Sequence, residues 1–121
     1  MKRLSGGWTG MVILMVLLLL SASVAGAEVR EVVLLDGPPY YGNGSMVRVA
    51  VGDTVKWTNP MRKDGAVHTV TQMGCLTGDA CEFDSGLLTP GQAFSYTFTT
   101  AGTYPYRCRL HAPMEGGVVV Q

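Results

Sequence analysis

The sequence predicts an all-β sandwich or barrel built as one domain. Three observations carry this. Short β-branched or aromatic runs recur along the chain, several with strict two-residue alternation. Turns rich in Gly and Pro separate them, drawn from 16 Gly and 6 Pro in 121 residues. Beyond Ala27, no stretch of helical length shows a 3.6-residue period.

The first segment stands outside that pattern. Lys2 and Arg3 open the chain, and no charge follows until Glu28. Met11 to Leu20 is an unbroken apolar run, and Ala25-Gly26-Ala27 is a small-residue cleavage site. This is the layout of a signal peptide over 1–27, cut after Ala27, with the domain at 28–121. The alternative is an uncleaved anchor, since Leu4 to Ala27 is long enough to span a bilayer. Either way the domain is exported, to the periplasm or the extracellular space, where disulfides persist.

The strands follow in order. Val29 to Leu35 is a Val/Leu-rich run that stops at Gly37-Pro38-Pro39. Tyr40 to Ser45 is turn material around Asn43-Gly44. Met46 to Val51 alternates, with Val47, Val49 and Val51 on one face. Gly52-Asp53 turns the chain into Thr54 to Thr58, which places Val55 and Trp57 together. Asn59 to Gly65 is a polar loop, Val67 to Thr71 a short strand, and Gly74 to Glu82 a loop bracketed by cysteines. Ala93 to Thr99 aligns Phe94, Tyr96 and Phe98. Thr103 to Cys108 aligns Tyr104, Tyr106 and Cys108, and Val118 to Val120 closes the chain as a final strand.

Composition excludes several classes of function. The chain is 47% hydrophobic and 15% charged, too apolar for disorder. Its net charge is zero, and without the leader seven basic residues face nine acidic ones. No basic cluster remains to bind nucleic acid. So small a domain buries only a modest core, so an added staple would help it.

Chemistry concentrates in Cys108-Arg109-Leu110-His111-Ala112-Pro113-Met114. A thiol, an imidazole and a thioether lie within seven residues, directly after a strand. Taken singly, each is more often core or surface filler. Together they are soft-metal ligands, and one Cys, two His and a weak axial Met define a blue-copper centre. Only one other His follows the leader, His68, at the start of a strand. A sandwich can bring that strand start beside the loop after Cys108.

The residues that carry a family resemblance span nearly the whole chain beyond the leader. They are Val51-Gly52-Asp53-Thr54-Val55-Lys56-Trp57-Thr58-Asn59, His68-Thr69-Val70, Phe83-Asp84-Ser85-Gly86 with Pro90-Gly91, Gly102 to His111, and Met114 to Val120. The sequence resembles the small blue copper proteins of the plastocyanin/amicyanin family, the cupredoxins. The resemblance implies a Greek-key β-sandwich holding one type 1 Cu ion, with His68, Cys108, His111 and Met114 as ligands. The Cys-x2-His-x2-Met spacing is similar to amicyanin's short loop. Three positions depart from the family pattern: Ala112 with Pro113 one place later, Thr69 where Asn is common, and Arg109 after the Cys.

With Cys108 taken by the metal, Cys75 and Cys81 remain as an even pair. A disulfide is the expected reading. A second metal or redox site is the alternative, although five intervening residues are wider than metal-binding spacings.

The resemblance implies an electron carrier cycling between Cu(I) and Cu(II), not an enzyme. Four protein ligands leave no open position for a substrate, and no acid–base constellation remains. Electrons would leave through His111, within a patch of Leu110, Ala112 and Pro113, with Met61 nearby. The expected partners are redox proteins such as c-type cytochromes or copper oxidases and dehydrogenases, docking transiently on a monomer. Arg62, Lys63 and Arg109 would form a basic rim favouring acidic partners. A periplasmic copper-binding or delivery protein without an electron-carrier role would use the same ligands. The scattered Met46, Met61, Met73 and Met114 form no thioether-rich tract to favour that alternative.

Overall fold

The computed structural model describes residues 26–121. The expected signal peptide or anchor therefore lies, but for its last two residues, outside the described residues. Among the described residues no helix is long and apolar enough to cross a membrane.

The described chain runs β1 (Val29–Val33), β2 (Met46–Val49), β3 (Thr54–Thr58), β4 (Thr71–Gln72), α1 (Met73–Thr77), β5 (Ala93–Thr97), β6 (Gly102–Arg107) and β7 (Glu115–Val120). The strands form two sheets, β1-β3-β5 and β2-β7-β6-β4, which pack as a sandwich. Pairing is parallel between β1 and β3 and between β2 and β7, and antiparallel elsewhere.

The alternation read in the sequence sets the core. Val32, Val55 and Trp57 from the first sheet meet Val47, Val49, Tyr104, Tyr106, Val118 and Val120 from the second. Trp57 is fully buried. It stacks on Phe83 at 5.8 Å and Phe94 at 6.0 Å, and meets Tyr106 edge-on at 5.4 Å across the sandwich. Aromatic pairs of this kind add about 0.5–1.5 kcal/mol each beyond area burial. Burial pushes the Tyr106 hydroxyl up to about 12, outweighing the lowering effect of Trp57, so it stays neutral.

Three elements differ from the sequence reading. The last strand begins at Glu115 rather than Val118 and includes Gly116 and Gly117. Glycine ordinarily weakens a strand. Here β6 pairs with the strand from Glu115 onward, and β2 joins on the other side at Gly117. A Cβ on Gly116 would lie 2.8 Å from the Tyr106 ring, so the glycine makes room for that aromatic.

The expected strand Val67 to Thr71 is mostly irregular. His68 and Leu88 form an isolated bridge, with His68 N–H to Leu88 C=O at 3.0 Å and the reverse bond at 2.7 Å. Val70 N–H then donates to Ser85 Oγ at 2.7 Å. A folded loop, not a sheet neighbour, satisfies this backbone. The loop expected at Gly74 to Glu82 begins as the single helical turn α1, which ends at Gly78 in the left-handed region, φ 82°.

Asp53 organises the turn between β2 and β3. Its carboxylate accepts N–H bonds from Glu28 at 2.9 Å and Ala50 at 2.8 Å. Those two bonds hold the Asp53 carboxyl below the usual carboxylate range. A group lowered on folding stabilises the fold above its unfolded value, about 3.9, and loses that contribution as pH falls through the folded value. Asp53→Asn should therefore be less stable than the wild type at pH 7, with the gap narrowing below about pH 4. Urea midpoints of both proteins across that range check this; a gap that is constant with pH refutes it.

Candidate metal centre

Cys108 follows β6 directly, and Met114 directly precedes β7. The antiparallel pairing of those strands extends to Arg107 opposite Glu115. It therefore brings both ends of the intervening loop together. Cys108 N–H donates to Met114 C=O at 3.0 Å, and Met114 N–H to His111 C=O at 2.9 Å. The loop is thereby pinned at its base and folded on itself. Cys108 and Met114 are fully buried, and His111 is half-buried.

His68 arrives from the segment bridged to Leu88. The donor atoms of His68, Cys108 and His111 all lie within 4.8 Å of one another. Cys108 Sγ and His111 Nδ1 are 3.4 Å apart, and the two imidazole rings are 5.0 Å apart between centroids. Sequence positions forty residues apart thus converge on one point.

Thr69 ties the two segments together. Its N–H donates to Cys108 Sγ at 3.4 Å, and its Oγ1 accepts from Arg109 N–H at 2.9 Å. The short Thr69 side chain and its own N–H therefore link the two ligand-bearing loops. The link continues from Thr69 Oγ1 to Thr71 Oγ1 at 3.0 Å and on to Asp84 at 3.0 Å. Arg109 Nη2 donates to the second Asp84 oxygen at 2.7 Å. Burial raises the Asp84 carboxyl, but bonds from Arg109, Gly86 and Thr71 outweigh it and hold it below the usual range.

The residues present fit a soft metal. His68 Nε2 is 2.8 Å from Asp36 Oδ1, which leaves Nδ1 buried with no hydrogen-bond partner. An unpaired buried nitrogen costs about 1–3 kcal/mol unless a cation or donor meets its lone pair. Cys108 is free as well as buried. Two imidazoles and a thiolate, with a buried thioether in the same loop, match the ligand chemistry of copper.

Asp36 was not legible in the sequence. It lies between a strand run and a Gly-Pro-Pro turn, 32 residues from His68, and nothing local marks it as a partner. Arg62, expected on a basic rim, instead pairs with Asp36 at 2.9 Å. Arg109 is likewise paired, with Asp84, so two of the three expected rim cations are neutralised. Leu110, Ala112 and Pro113 are exposed around His111. Cys75 and Cys81 form a disulfide, which removes both thiolates from any second metal site.

Comparison with known proteins agrees with this geometry. Residues 41–121 match the family described as copper binding proteins, plastocyanin/azurin family. An amicyanin from Paracoccus denitrificans is 40% identical over 75 residues, covering 62% of this chain and 54% of that protein. A chloroplastic plastocyanin from Tetradesmus obliquus is 35% identical over 82 residues, with the same two coverages. The chain thus spans about half the length of the curated relatives it matches. Among solved structures, a purple cupredoxin from Nitrosopumilus maritimus superposes with a TM-score of 0.63 at 26% identity, covering 76% of this chain and 99% of that one. The reduced Cu(I) form of an amicyanin mutant superposes with a TM-score of 0.63 at 34% identity, covering 77% of this chain and 82% of that one. With that family model matched over residues 41–121, most of the chain, this protein belongs to the plastocyanin/azurin family of copper-binding proteins.

Proposed function

We propose that the chain is a type 1 copper electron carrier working outside the cytosol, after removal of a leader at 1–27. One observation carries the reading: the donor atoms of His68, Cys108 and His111 converge within 4.8 Å at a buried point. His68 would bind through Nδ1, Cys108 as thiolate and His111 through Nδ1, with the Met114 thioether as a fourth, weaker donor. Copper, when bound there, supplies a one-electron Cu(I)/Cu(II) couple.

This chain's own residues supply rigidity and access. Two of the four ligands sit at strand ends, and the Cys108–Met114 backbone bond closes their loop. The Thr69 bonds to Cys108 and Arg109 fix the distance to the His68 segment. A site held this firmly from several directions changes little on gaining or losing charge. Protein donors fill the positions a substrate would need, which argues for electron carriage rather than catalysis.

Access is one-sided. His68 is buried, whereas His111 is half-buried within exposed Leu110, Ala112 and Pro113. That apolar patch suits brief docking of a redox protein, such as a c-type cytochrome or a copper oxidase or dehydrogenase. With Arg62 and Arg109 already paired to carboxylates, the patch selects partners more by shape and apolarity than by acidic charge.

Protein loaded with Cu(II) should show an intense visible band, because a Cys108 thiolate bound to Cu(II) gives strong charge transfer. Cys108→Ser should abolish the band, and a visible spectrum that survives the substitution overturns the ligand assignment. Reversible voltammetry without loss of copper separates a carrier from a delivery protein, which must release its metal.

Met114→Gln should retain copper and shift the potential downward, because a harder oxygen donor favours Cu(II). Film or solution voltammetry reads this. An unchanged potential, or complete loss of copper, counts against Met114 as the weak fourth ligand.

A further inference from the structure

We propose that Asp36, steadied by Arg62, is a positioning residue that orients His68 for the metal and lowers the reduction potential of the centre. The inference rests on the copper reading above. Nothing in the ligand set requires it: a backbone carbonyl or a water could hold the far nitrogen of His68 without adding charge. Here a carboxylate does so.

The geometry is specific. His68 Nε2 is 2.8 Å from Asp36 Oδ1, and the His68 side chain is 1% exposed. Arg62 Nη1 lies 2.9 Å from Asp36 Oδ2, and Ala66 N–H donates to the same oxygen at 3.3 Å. Arg62 Nη2 donates to Leu34 C=O at 2.5 Å, at the end of the strand run that leads into Asp36. Both carboxylate oxygens are therefore engaged, and the group cannot rotate away from the ring. An acceptor at Nε2 requires the proton there, so Nδ1 carries the lone pair. Nδ1 is the buried nitrogen without a partner. One carboxylate thus selects the tautomer, fixes the ring plane and aims the free nitrogen into the site.

The sign of the electronic effect follows from charge. A carboxylate hydrogen-bonded to a ligating imidazole makes the ring a stronger donor. Its negative charge favours the metal state of higher charge, and so holds the potential down. Arg62 opposes part of that field. Its removal should push the potential the other way. Asp36 is 34% exposed, so solvent screens some of the effect.

The test uses the full chain with copper and, separately, without metal. Asp36→Asn removes the charge while leaving an oxygen that can still accept from His68. It should keep the visible band and weaken Cu(II) relative to Cu(I) by about tenfold, the low end for losing such an outer partner. For a one-electron couple that is an upward shift of about 59 mV. Arg62→Gln should shift the potential downward by less than that. In the metal-free protein, nitrogen NMR should place the His68 proton on Nε2, slow to exchange, and Asp36→Ala should speed that exchange. Shifts of the same sign in Asp36→Asn and Arg62→Gln, no shift in either, or a proton on Nδ1 of metal-free His68 overturns the proposal. If Asp36→Asn fails to fold, an unmoved or raised potential in Arg62→Gln overturns it just as well. A wild type with no visible band overturns the copper reading and this inference with it. A coloured wild type with unmoved potentials overturns the inference alone.

Discussion

A single backbone bond, Cys108 N–H to Met114 C=O, closes the loop on which the centre depends. It continues the β6–β7 ladder by one step past Arg107 and Glu115. The rest of the site follows from that closure. With both ends of a short loop pinned at 3.0 Å, the intervening residues must arch, and His111 is carried to within 3.4 Å of the Cys108 sulfur. The ladder is in turn held by the Trp57–Tyr106 contact across the sandwich, so core packing and ligand geometry are one mechanical unit.

The second arm of the site is built differently. His68 sits on irregular backbone whose hydrogen bonds go to Leu88 and, two residues on, to Ser85. Irregular backbone is ordinarily the softer part of a β fold. Here three separate links stiffen it: the Leu88 bridge, the Thr69 bonds to Cys108 and Arg109, and the Asp36 bond to the imidazole. The disulfide between Cys75 and Cys81 then restrains the excursion that follows, through α1, in a domain with only a modest core.

Charge in the neighbourhood of the site is handled in pairs. Asp36 meets Arg62, and Asp84 meets Arg109. Each pair sits beside one arm, so each ligand segment is braced by an ion pair that adds little net charge. Exposed pairs of this type contribute modestly to stability. Their value lies in fixing direction, because each carboxylate is also bonded to a residue of the His68 segment: Asp36 to His68 itself, Asp84 to Thr71. The surface that remains around His111 is left apolar.

Most of the alternating strands and their core positions can be read along the chain, Val51 excepted, which lies exposed beyond β2, and so can the donor types gathered in one short loop. Strand alternation is a two-residue pattern, and the Cys108, His111 and Met114 spacing lies within one short loop, so both are local and readable along the chain. The pairing of Cys75 with Cys81 was likewise readable from proximity and parity. What holds those side chains in place comes from contacts between distant parts of the chain. Glu115 to Gly117 is strand because β6 pairs with all three, β2 joins at Gly117, and Tyr106 fills the space beside Gly116, not because glycine favours the conformation. Val67 to Val70 is irregular because a loop side chain, Ser85 Oγ, takes a bond that a sheet would have taken. Asp36 meets His68, and Arg62 meets Asp36, from positions that share no periodicity with His68. Long-range hydrogen bonds leave no trace in residue spacing, and they are what turn a set of ligand types into a directed site.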